Sequence, residues 1–238
     1  MKTLFKQCHW SNYGAGRTSN VKYIVIHYTA NDGDTAKNNA DYFANNMNLR
    51  ASAHYFVDEY DSVYNSVKEI DTAWHCGGGR QGIGGGKYLG TCTNVNSIGI
   101  ELCSRKNNKG IYYFKEQTIS NTAELTKTLM AKYGVPIDNV IRHFDVTGKD
   151  CPEPMVRDEE QWRSFKAKLI NTNNNTNQEE ENEMIYNYID ENMPAWARPT
   201  IQKLMNKGYL KGDDKGELGL NDTMLKIFVI NDRAGLYK

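Results

Sequence analysis

Apolar residues in this chain gather into short β-branched runs, with segments of helical period between them. Residues 21–27 (VKYIVIH) are dense in Val, Ile and Tyr and read as a buried strand ending at a histidine. Residues 35–48 place Ala36, Ala40, Phe43, Ala44 and Met47 at helical spacing, with Thr35 or Asp34 as the cap. Residues 52–58 read as a second strand, and residues 62–67 as its hairpin partner across the polar turn 59–61. Residues 96–102 form a third buried strand and residues 139–143 a fourth. Residues 115–133 are an amphipathic helix that carries Ile119, Thr122, Leu125, Leu129 and Met130 on one face and stops at Gly134. Residues 157–170 close the series as a helix. Strands and helices interleaved in this way predict an α/β domain.

The pattern changes after residue 170. Residues 171–183 (NTNNNTNQEEENE) hold no apolar side chain and cannot bury enough surface to order themselves. Beyond them, residues 194–208 read as a compact helix closed by Gly208, and residues 224–234 as a second helix. The chain thus divides into a domain over 1–170, a flexible Asn/Glu-rich linker over 171–183 and a small helical module over 184–238. That module is small for an independent core, which points to a partner copy.

Composition narrows the function classes. The 238 residues carry 29 Lys+Arg against 29 Asp+Glu, so no large basic field is available to hold nucleic acid. No run approaches the roughly 18 apolar residues of a membrane helix. The opening MKTLFKQCHWSNYG lacks the apolar core of a signal peptide, so the chain is expected to carry no export address. Five cysteines at irregular spacing argue against a disulfide framework, and a buried thiol is the default for each. A Cys76–Cys92 pair across the glycine-rich stretch 76–90 is the one alternative. That stretch reads as a surface loop; no GK[ST] follows it, so it is no phosphate cradle.

Candidate chemistry concentrates in residues 143–152 (HFDVTGKDCP), where an imidazole, an ammonium and a thiol sit within nine positions. Gly148 and Pro152 mark the segment as a loop and not a helix. Two predicted strands end in histidines, His27 and His143, and the loop after the second delivers Cys151. Two imidazoles and a thiolate suit zinc, and three protein ligands leave a fourth position open for water. The spacing alone leaves a second reading open, in which each histidine is a hydrogen-bonded core residue.

Five motifs in order bear on that choice. Ile26-His27-Tyr28-Thr29-Ala30, Ala51-Ser52-Ala53-His54-Tyr55-Phe56-Val57, Ala73-Trp74-His75, Ser97-Ile98-Gly99-Ile100-Glu101 and the Arg142-His143…Gly148-Lys149-Asp150-Cys151-Pro152 segment resemble the motifs of the zinc-dependent N-acetylmuramoyl-L-alanine amidases. This amidase-2 group includes the peptidoglycan recognition proteins. The resemblance spans about residues 20–155. It implies a central mixed β-sheet flanked by helices, and Zn2+ held by His27, His143 and Cys151. It also implies Glu101 as the general base, because members that instead use a tyrosine carry it where this chain has Ala53. Lys149 carries over as the electrophile. Trp74, His75 and His54 are expected at the substrate groove, with packing as the alternative for Trp74 and His75, and with His54 in the site wall or behind the metal ligands. Without the resemblance, Glu101 reads as a solvated strand-end carboxylate and Lys149 as a loop lysine.

The implied function is a peptidoglycan hydrolase that cuts between N-acetylmuramic acid and L-alanine by zinc-activated water. The alternatives are a non-catalytic peptidoglycan-binding protein and a zinc peptidase acting within the stem peptide. Residues 190–208 and 229–237 resemble S-layer-homology-like units and the tails of clostridial phage endolysins, which implies wall binding or self-association by 184–238. The expectation is then a phage or prophage endolysin, bacteriolytic, held in the host bacterial cytoplasm until lysis. Met184 directly follows a glutamate-rich stretch, so a free 184–238 fragment started there is a further expectation.

Overall fold

The computed structural model describes residues 2–170 and 185–237. The described residues fall into two compact units, 2–170 and 185–237. The predicted linker 171–183 and Met184 lie outside the described residues. The first unit has strands β1 (Lys2–Phe5), β2 (Tyr13–Gly14), β3 (Tyr23–Tyr28), β4 (Tyr55–Val57), β5 (Ser62–Asn65), β6 (Thr72–Ala73), β7 (Ser97–Leu102), β8 (Arg105–Lys106), β9 (Tyr112–Tyr113) and β10 (Val140–Arg142). Its helices are α1 (Ala36–Asn45), α2 (Glu116–Tyr133), α3 (His143–Thr147), α4 (Glu153–Arg157) and α5 (Glu159–Ile170). The second unit has α6 (Arg198–Asn206) and α7 (Asp222–Arg233).

Six strands in the order β1-β5-β4-β7-β3-β10 make the central sheet. Every neighbouring pair is parallel except β4–β5, so the sheet is mixed. Side-chain alternation sorts each strand between two faces. Ile24 and Ile26 of β3 join Ile98, Ile100 and Leu102 of β7 under Leu125 and Leu129 of α2 and Phe165 and Leu169 of α5. Each such side chain contributes roughly 1.5–3 kcal/mol on burial. The other face is thinner: Val25 meets Cys76, Cys92, Ile141 and Val146, and Phe56 meets Ala36, Ala40 and Cys103 beneath α1. His27 and Glu101 alternate onto this thinner face.

The predicted ends are largely kept, for local reasons. Thr35 caps α1, its hydroxyl accepting from the Asn38 amide at 3.1 Å while Asn38 Oδ1 accepts from the Thr35 amide at 3.2 Å. Gly134 ends α2 in the left-handed region at φ 64°. Three elements depart from expectation. The strand predicted over 52–58 shortens to β4 because Ser52 is bonded to Trp74 instead: Ser52 N donates to Trp74 O at 2.9 Å and Ser52 Oγ accepts from Trp74 N at 3.0 Å. The closing helix expected over 157–170 is α5 and starts at Glu159, because Asp158 is extended (φ −125°, ψ 93°) and separates it from α4, a short helix that was not foreseen. β1 was not foreseen; it is largely exposed and carries no amphipathic signature, so only its parallel pairing with β5 makes it a strand.

The second unit encloses a cluster of its own, with Met193, Ala197, Ile201, Leu204, Leu225 and Val229 buried. Tyr186 and Leu220 bridge its ends in antiparallel fashion. Lys203 Nζ lies 2.6 Å from Asp232 Oδ1 and ties α6 to α7.

Candidate metal centre

The site begins with register. β3 and β7 are parallel, and His27 stands directly beside Glu101. Register partners on parallel strands project to the same face, so imidazole and carboxyl leave the C-terminal ends of two central strands together. β10 lies beside β3 with Arg142 against Ile26, which delivers His143 next to His27.

Residues 143–147 form a helical turn where the sequence reading expected only a loop. Two features outweigh the loop signals. Asp145 closes the N-terminal end: its carboxylate accepts from the Arg142 amide at 2.8 Å and from the Arg142 guanidinium at 3.0 and 3.1 Å. The same guanidinium reaches Met155 O at 2.8 Å and Glu159 Oε2 at 2.7 Å, locking β10 to α4 and α5. At the other end Gly148 supplies a left-handed residue, φ 77°, whose amide returns to Phe144 O at 2.9 Å.

The glycine-rich stretch also proves to be more than a surface loop. Its amides satisfy carbonyls of α3: Gln81 N and Gly82 N donate to Thr147 O at 2.9 and 3.1 Å, Gly86 N to Val146 O at 3.2 Å, and Tyr88 N to Asp145 O at 2.8 Å. This backbone-on-backbone seat has no room for side chains. A Cβ on Gly82 would lie 2.0 Å from Gly148 O, and one on Gly86 would lie 2.1 Å from Asp145 O. Gly86→Ala is therefore expected to destabilise the first unit by about 2 kcal/mol, as overpacking does. Denaturant unfolding would measure it, and an unchanged midpoint would remove the seat from the account.

Three side chains converge where these elements meet. His27, His143 and Cys151 are 2%, 3% and 2% exposed, and their ligand atoms all lie within 4.8 Å of one another. Cys151 Sγ is 3.8 Å from His27 Nδ1. Tetrahedral zinc ligands with Zn–S about 2.3 Å and Zn–N about 2.0 Å stand roughly 3.3–3.6 Å apart, so the cluster is close to metal geometry. The sharper test is satisfaction. His143 is buried, yet neither of its ring nitrogens has a hydrogen-bond partner among the described residues. A buried imidazole with two orphan nitrogens is costly unless a cation takes one. Burial lowers the pKa of both histidines, that of His143 to about 3, so both are neutral and able to ligate. Burial raises the Cys151 thiol above its ordinary range, so a cation entering the cluster would displace its proton. The residues present fit a divalent metal.

Glu101 faces this cluster. The residue is half-buried, but its Oε2 is shielded from solvent and has no hydrogen-bond partner among the described residues. Burial pushes the carboxyl up to about 8, with Asp34 adding to the rise and the Lys149 ammonium opposing it. Lys149 is exposed and lies on the rim of two cavities. One, of about 570 Å³, is lined by Arg50, Trp74, His75, Gln81, Asn94 and His143. The other, of about 700 Å³, includes Tyr28, Asn31, Asp34, Asn38, Tyr42 and Glu101.

Trp74 and His75 line the first of these cavities, and His75 also touches His27. His54 does not. It is fully buried, its Nδ1 accepts the Gly99 amide at 3.0 Å and its Nε2 lies 2.8 Å from the Arg17 guanidinium. It braces the strand behind the groove and offers no surface to a ligand. All five cysteines are free and buried, Cys76 and Cys92 included. Sequence reasoning missed Asn94, whose Oδ1 accepts the amides of His75 at 3.0 Å and Cys76 at 2.9 Å and so sets the groove wall. A lone asparagine in a loop carries no periodic signal that could have found it.

Comparison with known proteins agrees with this geometry. Residues 17–154 match the Amidase_2 family, described as N-acetylmuramoyl-L-alanine amidase. A probable N-acetylmuramoyl-L-alanine amidase of Bacillus licheniformis is 36% identical over 152 residues, covering 63% of this chain and 41% of that protein. The amidase CwlL of the same species is 34% identical over 157 residues, covering 64% and 42%. The chain therefore spans about two fifths of the length of these curated relatives. Among solved structures, the catalytic domain of XlyA superposes with a TM-score of 0.57 at 28% identity, over 71% of this chain and 99% of that one. A family match over more than half the chain, on the fold of a solved amidase catalytic domain, makes this chain a member of the Amidase_2 family of N-acetylmuramoyl-L-alanine amidases.

Proposed function

We propose that the first unit is a zinc-dependent amidase. It cuts the bond between the lactyl group of N-acetylmuramic acid and the L-alanine of the stem peptide in bacterial peptidoglycan. The observation that carries this reading is the convergence of a His/His/Cys cluster, one imidazole of it orphaned, with the unpaired Glu101 carboxyl on the adjacent strand. The names of the relatives support the bond and the substrate.

His27, His143 and Cys151 hold the metal in this reading. Bound zinc supplies Lewis-acid polarisation of the scissile carbonyl and a lowered pKa for the attacking water. Glu101 takes the proton of that water and returns it to the leaving amine. Burial raises the Glu101 carboxyl in the metal-free chain, and a cation in the adjacent cluster would oppose that rise, bringing the group toward the range in which a carboxyl both accepts and donates a proton. Lys149 on the groove rim donates to the oxyanion that develops on the former carbonyl. Trp74 and His75 offer aromatic ring surface to the sugar or the peptide. Lys149→Met is expected to lower kcat about a hundredfold with little change in KM, the effect of losing one oxyanion donor. An unchanged kcat in steady-state assays would remove Lys149 from the mechanism.

Digestion of purified peptidoglycan tests the whole reading. The expected products are new L-alanine N-termini without new reducing ends. Another N-terminal residue means a peptidase, and wall binding without any release means a recognition protein. The 184–238 module is read as a wall-binding or self-associating appendage. Sedimentation with purified walls and analytical ultracentrifugation of the full chain separate those two roles. Among the described residues no helix is long and apolar enough to cross a membrane.

A further inference from the structure

His75 stands behind the cluster in a chain of polar contacts that the proposed mechanism does not use. Its Nδ1 is 3.0 Å from His27 Nε2, and its Nε2 is 3.1 Å from Ser97 Oγ. Ser97 Oγ is in turn 2.6 Å from Thr93 O. The direction of every hydrogen bond follows from the far end. A carbonyl oxygen only accepts, so the Ser97 hydroxyl gives its single proton to Thr93. Ser97 Oγ must then accept from His75, which puts the His75 proton on Nε2. The other lone pair of Ser97 Oγ faces the Cys76 thiol at 3.5 Å. A neutral His75 with its proton on Nε2 has a bare Nδ1, which accepts from His27 Nε2–H. His27 Nδ1 is left with a free lone pair, and Nδ1 is the atom 3.8 Å from Cys151 Sγ.

The packing around His75 favours this arrangement independently. Gly99 of β7 lies directly beneath the ring, and a Cβ there would stand 2.5 Å from His75 Cγ and 2.7 Å from its Nδ1. The strand that carries Glu101 two residues later thus lacks a side chain where the imidazole rests. Gly99 has an ordinary backbone conformation, so the constraint is the ring and not the chain.

We propose that His75 is a positioning residue: oriented by Ser97 and the Thr93 carbonyl, it holds His27 in the tautomer that presents Nδ1 to the metal. The inference rests on the reading of His27 as a ligand. A metal-binding histidine usually donates its second N–H to a carboxylate, carbonyl or water. Here the acceptor is an imidazole, which accepts only while a further residue holds its own proton on the far side. The orientation of one zinc ligand therefore depends on a hydroxyl two residues away along β7 from Gly99.

Two measurements on the full chain test this. Long-range 1H–15N correlation spectra of the metal-free protein, labelled at histidine, read ring tautomers directly. Both His27 and His75 are expected as Nε2–H forms, and an Nδ1–H form at His27 overturns the proposal whether or not the protein binds zinc. Chelator competition then reads zinc affinity. His75→Ala is expected to weaken it about 10–100-fold, the usual effect of losing a hydrogen-bond partner behind a ligand. Gly99→Ala is expected to weaken it in the same direction while removing no polar group. His75→Gln, whose amide can accept from His27 and donate to Ser97, should recover most of the loss. Unchanged affinity in both alanine variants overturns the proposal. So does an equal loss in the glutamine variant, which would mark a purely steric role. A wild-type chain that binds no zinc would instead refute the metal reading, with the tautomer result still standing.

Discussion

Glu101→Gln is expected to lower turnover by two to four orders of magnitude, the usual worth of a general acid–base group, with bound zinc unchanged. The same substitution is expected to stabilise the metal-free protein at neutral pH. The Glu101 carboxyl is raised by burial to about 8 from an ordinary value of 4.5. A carboxyl with a raised folded-state value favours the folded state below the unfolded value and penalises it as pH rises through the folded one. Wild-type metal-free protein should therefore lose stability between about pH 4.5 and pH 8, and Glu101→Gln should lack that slope. The difference above pH 8 is on the order of 2 kcal/mol once solvent at the partly exposed end of the side chain is discounted. Thermal melts against pH read the stability half and single-turnover hydrolysis reads the catalytic half. A variant that keeps full activity would refute the proposed base. One that loses activity without any change in pH slope would mean the carboxyl is solvated.

Cys151→Ser is expected to abolish both zinc retention and hydrolysis. Cys151 is the one soft ligand in the cluster, and burial makes it the hardest to ionise without a cation. A serine hydroxyl there does not ionise near neutral pH, so two neutral imidazoles remain to hold the ion. Chelator treatment of wild-type protein should reproduce the loss and added zinc should reverse it, whereas added zinc should not restore the variant. Zinc at a thousand times its dissociation constant adds about 4 kcal/mol to wild-type stability by mass action, and the variant should show none of that gain. Since binding displaces the thiol proton, wild-type affinity should fall as pH falls. Metal analysis and melting curves with and without zinc decide the matter; stoichiometric zinc in Cys151→Ser would show that the cluster is not the binding site.

The two substitutions probe parts of the site that were unequally legible. Cys151 and His143 lie in one short segment, and their residue types alone raised the possibility of a metal. His27 and Glu101 are far apart in sequence, and each on its own was ambiguous between chemistry and packing. Only the parallel pairing of β3 with β7, one residue opposite the other, makes them neighbours on one face. His54 shows the opposite case: it lies in a motif-like segment, yet the Arg17 guanidinium and the Gly99 amide enclose it behind the groove.

Local chemistry in the sequence determined the α/β class, most element positions, the helix caps at Thr35 and Gly134 and the residue types available for a metal. These follow from side-chain periodicity and from backbone preferences within a few residues, which any chain carries with it. Tertiary structure alone decided that residues 143–147 form a helical turn, because the carbonyls of that turn are satisfied by amides of the glycine-rich segment about sixty residues earlier in the chain. It also decided that β1 joins the sheet edge, that Gly82 and Gly86 seat backbone against backbone, and that His75 lies on Gly99 between His27 and Ser97. Each of these depends on a hydrogen bond or a close approach between distant segments, and such a contact leaves no period in the sequence from which it could be read.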